Sequence, residues 1–139
     1  MKTIIKSTIV ILLLSLWIAG CSKENSEKMV RSLNIGEITE IKLRETACNP
    51  QKGLSLQVYN INDSRCPIGA ICVWAGYASV DFYLTTEKSK YDFTLPAPYT
   101  FKNDTVIEGI KYELIDVLPY PELNKEQPAN TVKILVADE

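Results

Sequence analysis

The chain has no histidine among its 139 residues. That removes Ser-His-Asp and Cys-His catalysis, every imidazole-ligated metal or haem site, and the usual general base near neutral pH. None of the four cysteines forms a CxxC pair, which argues against a thioredoxin-like redox site and against a zinc ribbon. Two methionines, one of them Met1, leave no thioether cage for copper. A Gly-rich phosphate loop and a nucleophile elbow are also missing. So is a capped apolar stripe of helical period, and no apolar run reaches the ~20 residues of a membrane span. Carboxylates are what remain for chemistry. Glu37 and Glu40 stand three apart and cannot share a face of a straight strand. Asn60, Asn62, Asp63 and Asp81 offer oxygens, but without the glycine and terminal glutamate of an EF-hand loop. The expectation is a protein that is not an enzyme and holds no cofactor or metal.

The N-terminal segment carries the most specific signal. Lys2 and Lys6 form a positive start, Ile9 to Ala19 an apolar run, and Ile18-Ala19-Gly20-Cys21 closes it. This order is that of a secretory signal ending in small residues. The closing four residues resemble the lipobox of bacterial lipoproteins. The resemblance implies cleavage after Gly20, a diacylglyceryl thioether on Cys21, and usually a third acyl chain on the new amino terminus. Two or more chains are what stable anchoring takes, since one binds only marginally. The expected location is the bacterial cell envelope, lipid-anchored, at the outer membrane on its periplasmic or surface face.

Loss of residues 1–20 leaves 119 residues and, with Lys2 and Lys6 gone, moves the net charge from −2 to −4. A mildly acidic domain has no electrostatic footprint for nucleic acid. Residues 21–31 read as the lipidated cysteine and a polar tether (SKENSEKMVR), and residues 32–139 as one domain. Period-two alternation recurs in Leu54, Leu56 and Val58; in Ala78, Val80, Phe82 and Leu84; in Tyr91, Phe93 and Leu95; in Ile110, Tyr112 and Leu114; and in Val132, Ile134 and Val136. Ile35 to Leu43 gives a weaker first strand, and Thr105 to Glu108 pairs with the Ile110 run through Gly109. Turn residues cluster at 49–53, 62–64, 96–98, 103–104 and 119–128. The expected fold is all-β: a single antiparallel β-sandwich of about six to eight strands, with a small barrel as the alternative.

One cluster stands apart: Asp63-Ser64-Arg65-Cys66-Pro67, four residues, then Cys72-Val73-Trp74-Ala75-Gly76. DSRCP…CVWAG resembles a motif of small bacterial envelope proteins without an established activity, so it implies fold and compartment but no mechanism. In an oxidising envelope a Cys66–Cys72 disulfide is permitted and preferred, with Cys48 to either of them as the competitor. A Cys48 left free is expected to be a buried small hydrophobe. Two readings of the loop stay open. As a structural clip, it would have Asp63 and Ser64 start the turn, Arg65 pair with Asp63, and a buried Trp74 act as lid. As a binding loop, Asp63, Arg65 and Trp74 would be exposed hot-spot residues on a preorganised support. The tyrosines Tyr59, Tyr77, Tyr83 and Tyr99 are a further, weaker candidate for a sugar- or peptide-binding face.

The function expected from all this is a monomeric, non-catalytic binding or accessory module of the envelope, held to the bilayer through acylated Cys21. Its further partner would be an envelope protein or polymer. A protease or lysozyme-type inhibitor and a purely structural envelope component are the alternatives.

Overall fold

The structure, a computed structural model, describes residues 30–97 and 102–139. The signal segment, Cys21 and most of the tether lie outside the described residues, as do Pro98 and Tyr99. Among the described residues nine strands form two sheets. In chain order they are β1 (Val30–Ser32), β2 (Ile38–Lys42), β3 (Thr46–Asn49), β4 (Leu54–Asp63), β5 (Ala78–Thr85), β6 (Lys90–Pro96), β7 (Asp104–Ile107), β8 (Ile110–Leu118) and β9 (Thr131–Asp138). One sheet has the order β1-β3-β4-β5-β6 and the other β2-β9-β8-β7. They pack as a sandwich and not as a closed barrel.

The alternation read in the sequence is what joins the two sheets. Leu56, Val58, Val80, Phe82 and Leu84 point inward from the first sheet; Ile41, Leu114, Val132, Ile134 and Val136 face them from the second. Same-face residues two apart on each strand make a single apolar layer between the sheets. Phe82 stacks on its cross-strand partner Phe93 with ring centroids 5.2 Å apart, and Phe93 meets Tyr112 at 5.6 Å. Two bulges interrupt the ladders, between Val58 and Asn60 on β4 and between Leu114 and Asp116 on β8. The first turns Tyr59 out to solvent and lets Ile61 pair with Val80.

Several details depart from expectation, beginning with the strand count, nine among the described residues where about six to eight were expected. Strands β1 and β3 were not legible as strands: all of β1 is exposed, and β3 buries only Ala47 and Asn49. Backbone pairing, not side-chain pattern, holds β1, and this pair is parallel: Val30, Arg31 and Ser32 lie beside Thr46, Ala47 and Cys48. The sheet therefore starts at Val30, inside the stretch assigned to the tether. Cys48 is half-buried, with its Sγ 3.6 Å from Ser55 Oγ, and so is not the buried hydrophobe expected of it. Pairing with Ser55 puts it at the opposite end of β4 from Cys66, out of reach of the competing disulfides.

The core carries one polar anomaly. Tyr112 is fully buried, and among the described residues its hydroxyl alone is a buried side-chain polar atom without a hydrogen-bond partner. Burial, helped by the charge of Glu108, pushes its phenol pKa up to about 12. Removing an unsatisfied hydroxyl relieves a desolvation cost of about 1–3 kcal/mol, so Tyr112→Phe should raise the denaturant midpoint. The folded protein holds this proton above pH 10, where the unfolded chain releases it. Stability should therefore fall from pH 10 to 12 by about 1.4 kcal/mol per unit of raised pKa, and Tyr112→Phe should remove that part of the fall. Unfolding curves of both proteins across that range check both statements.

Candidate functional site

The DSRCP…CVWAG segment fills the gap between β4 and β5 at one end of the sandwich. The ladder continues past the strands: Ser64 N–H donates to the Tyr77 carbonyl at 3.0 Å, and Cys66 N–H to that of Ala75 at 2.8 Å. The Ser64 hydroxyl donates to the same Tyr77 carbonyl at 2.8 Å. Gly76 makes this closeness possible. Its φ is +66°, and a Cβ there would lie 1.9 Å from the Ser64 carbonyl oxygen. Above this neck Cys66 and Cys72 form a disulfide, with Cα atoms 6.0 Å apart, closing a short ring around Pro67 to Ile71.

Arg65 points into the protein. Its Nε donates to Asp63 Oδ1 at 2.8 Å and its Nη2 to Oδ2 at 2.7 Å, a two-pronged fork. Asp63 Oδ1 also accepts from the Arg65 backbone N–H at 3.1 Å. The two side chains are only 8% and 14% exposed. Nη2 reaches the Pro119 carbonyl at 3.3 Å, and the guanidinium lies 4.3 Å from the centre of the Tyr120 ring. Higher up, Ile68 N–H donates to the Pro121 carbonyl at 2.9 Å, and Leu123 N–H donates to the Ile68 carbonyl at 3.0 Å. The β4–β5 loop is thus fastened to the β8–β9 connection by one charged contact and two backbone bonds.

The structure therefore separates the three residues proposed for a binding loop. Asp63 and Arg65 are shielded and satisfied by each other, which fits the clip reading. Trp74 is 81% exposed and is no lid. Ile71 and Val73, on either side of Cys72, are almost wholly exposed, and Ile68 and Leu123 are more than half exposed. The sequence reading did not select these four aliphatic residues. A signal for Ile68, Ile71 and Val73 was present: no charged residue occurs between Arg65 and Asp81, although 23% of the chain is charged; Leu123, between Glu122 and Lys125, had none. The result is a rigid base that carries an apolar tip, uncharged along 66–80 and flanked by the Glu122–Lys125 ion pair.

The other candidates come apart. Asp81 is occupied by its neighbours, accepting from Asn60 Nδ2 at 2.9 Å and from Thr94 Oγ1 at 2.7 Å. Both Asp63 oxygens serve Arg65. Among the described residues no group of three or more acidic or cysteine side chains is placed to hold a metal ion. Tyr59 and Tyr83 line a hollow of about 400 Å³ on the outer face of the first sheet, with Gln57, Asp81, Asp92 and Thr94, while Tyr77 belongs to the loop neck. Comparison with known proteins gives no match to a family model, a curated protein or a solved structure.

Two substitutions test the neck and the ring. Gly76→Ala forces both a left-handed alanine, costing about 1–3 kcal/mol by itself, and a clash with Ser64, so it should destabilise by at least that amount. Cys72→Ser opens a small ring and should cost about 2 kcal/mol. Equilibrium denaturation of each variant against wild type supplies the numbers.

Proposed function

We propose that this chain is a lipid-anchored, non-catalytic contact module of the bacterial envelope, with the disulfide-closed tip as its contact surface. The exposure of Trp74 carries the reading. An indole left in water, flanked by exposed aliphatic residues on a loop fixed by a disulfide and an internal ion pair, contributes little to folding. It suits contact with something else, because a prefixed loop loses little conformational freedom on binding. The anchor rests on the order of charge, apolar run and Ile18-Ala19-Gly20-Cys21 in the sequence. The oxidising compartment that such an anchor implies agrees with a Cys66–Cys72 bond.

The same exposure supports a second reading, a loop that blocks the cleft of a protease or lysozyme-like enzyme. The two differ in their need for the membrane. An inhibitor works without Cys21, whereas a contact module loses its place when the anchor is removed.

Labelled palmitate should enter the wild-type protein and not Cys21→Ser, and equal labelling would overturn the anchor. A photocrosslinking residue placed at Val73 in intact cells should give an adduct, to lipid or to protein, that is absent when the residue is placed at exposed Glu87. Adducts at both positions alike, or at neither, overturn the tip as contact surface. Persistence of the Val73 adduct in the Cys21→Ser background favours the inhibitor.

A further inference from the structure

We infer that the apolar tip seats in the lipid bilayer that carries the protein's own anchor, giving the domain a second hold on the membrane beside the acylated cysteine. The inference rests on the anchored reading above and names the partner of its contact surface.

Strand direction places both holds at one end. β4 runs toward the tip, ending at Asp63, and β3 runs antiparallel to it. β1 is parallel to β3, so the chain enters β1 from the tip end and runs away from it. Val30 is level with Thr46, and Thr46 with Gln57. Six residue steps of β4 separate Gln57 from Asp63 and the ladder continues three more to Cys66, about 30 Å along the sheet in all, and β1 is two strand spacings of about 4.8 Å from β4. Nine steps separate Cys21 from Val30, and nine extended residues span up to about 30 Å. Nine residues are thus just long enough to set the anchor in the membrane surface that the tip touches, with no need for the tether to pass around the domain.

The chemistry of the tip selects a bilayer over a protein or polymer. Ile68, Ile71, Val73, Trp74 and Leu123 are all exposed, and the segment 66–80 carries no charge of either sign. A polymer or protein site of ordinary kind offers polar and charged groups at its rim to fix orientation. The 66–80 segment has no charged side chain to meet them: Arg65, which could have served, is turned inward onto Asp63, and the nearest charges, Glu122 and Lys125 beside Leu123, are paired with each other. Aliphatic side chains around a tryptophan are the composition that settles at the boundary of headgroups and acyl chains. Fixing the orientation is left to the tether and to the rigid neck beneath.

Trp74 is itself the probe. The chain has two tryptophans, and the other, Trp17, lies in the segment expected to be cleaved. In full-length Trp17→Phe protein, Trp74 is the sole indole whether or not cleavage occurs. The lipidated protein is reconstituted in phosphatidylethanolamine–phosphatidylglycerol vesicles, with bromine on the acyl chains in one preparation, and its flotation and fluorescence are followed. The expected result is co-flotation, a blue-shifted emission, quenching by brominated lipid and protection from aqueous iodide. Ile71→Glu/Val73→Glu, two changes at exposed positions, should abolish the lipid quenching while flotation persists. Near-ultraviolet circular dichroism reports whether the variant keeps its fold. Protein that floats but keeps Trp74 open to iodide and untouched by bromolipid overturns the bilayer contact and leaves the anchor standing. Protein that does not float overturns the anchored reading, and the contact with it. Protection of Trp74 in intact cells but never in pure vesicles assigns the tip to a protein or polymer instead.

Discussion

Arg65 is the residue on which the rest of the tip depends. A guanidinium held almost out of water must be matched at its donors, and Asp63, the Pro119 carbonyl and the face of Tyr120 do so together. Taking away one partner of such a shielded pair leaves the other charge uncompensated, a loss of about 3–5 kcal/mol where the pair is fully buried. The Arg65 contacts and, above them, the backbone bonds of Ile68 and Leu123 tie together two loops from different sheets.

This arrangement splits the labour within one short motif. Its first half, DSR, faces the protein; its second half, CVW, faces away. Gly76 lets the returning strand pass within contact of the Ser64 carbonyl, and the disulfide keeps the ring above it small. Each special residue type thus answers a separate physical requirement: charge pairing, a left-handed backbone, a covalent closure and an apolar contact.

Much of the fold was legible because burial on one face writes itself as alternation. β5, with Ala78, Val80, Phe82 and Leu84 all buried, is the clearest case. β1 shows the opposite: three exposed residues held by backbone pairing leave no side-chain record. β3 falls between, because alanine and asparagine mark its inward face; Asn49 is stable in its buried place because it donates to the Leu33 carbonyl at 2.8 Å, a partner distant in sequence. The Cys66–Cys72 pairing was favoured by spacing, since a loop of five enclosed residues can close, but the competing pairs with Cys48 stayed open until the fold set them apart. The direction of Arg65 did not, for its acceptor at Pro119 and its aromatic partner Tyr120 lie more than fifty residues away. The isolation of Cys48 likewise depended on register, which sends it to the far end of β4.

The parallel placement of β1 has a mechanical side. A pull on the chain at Val30, directed toward the tip end, acts along the strand and not across it. The backbone bonds that join β1 to β3 then bear the load together, in shear, where a pull across the sheet would open them one after another like a zip. Leu33, fully buried just past the strand, and its N–H bond to the Cys48 carbonyl at 2.9 Å form the stop behind them. Three residues suffice for an edge strand that is loaded lengthwise and backed by a residue set in the core.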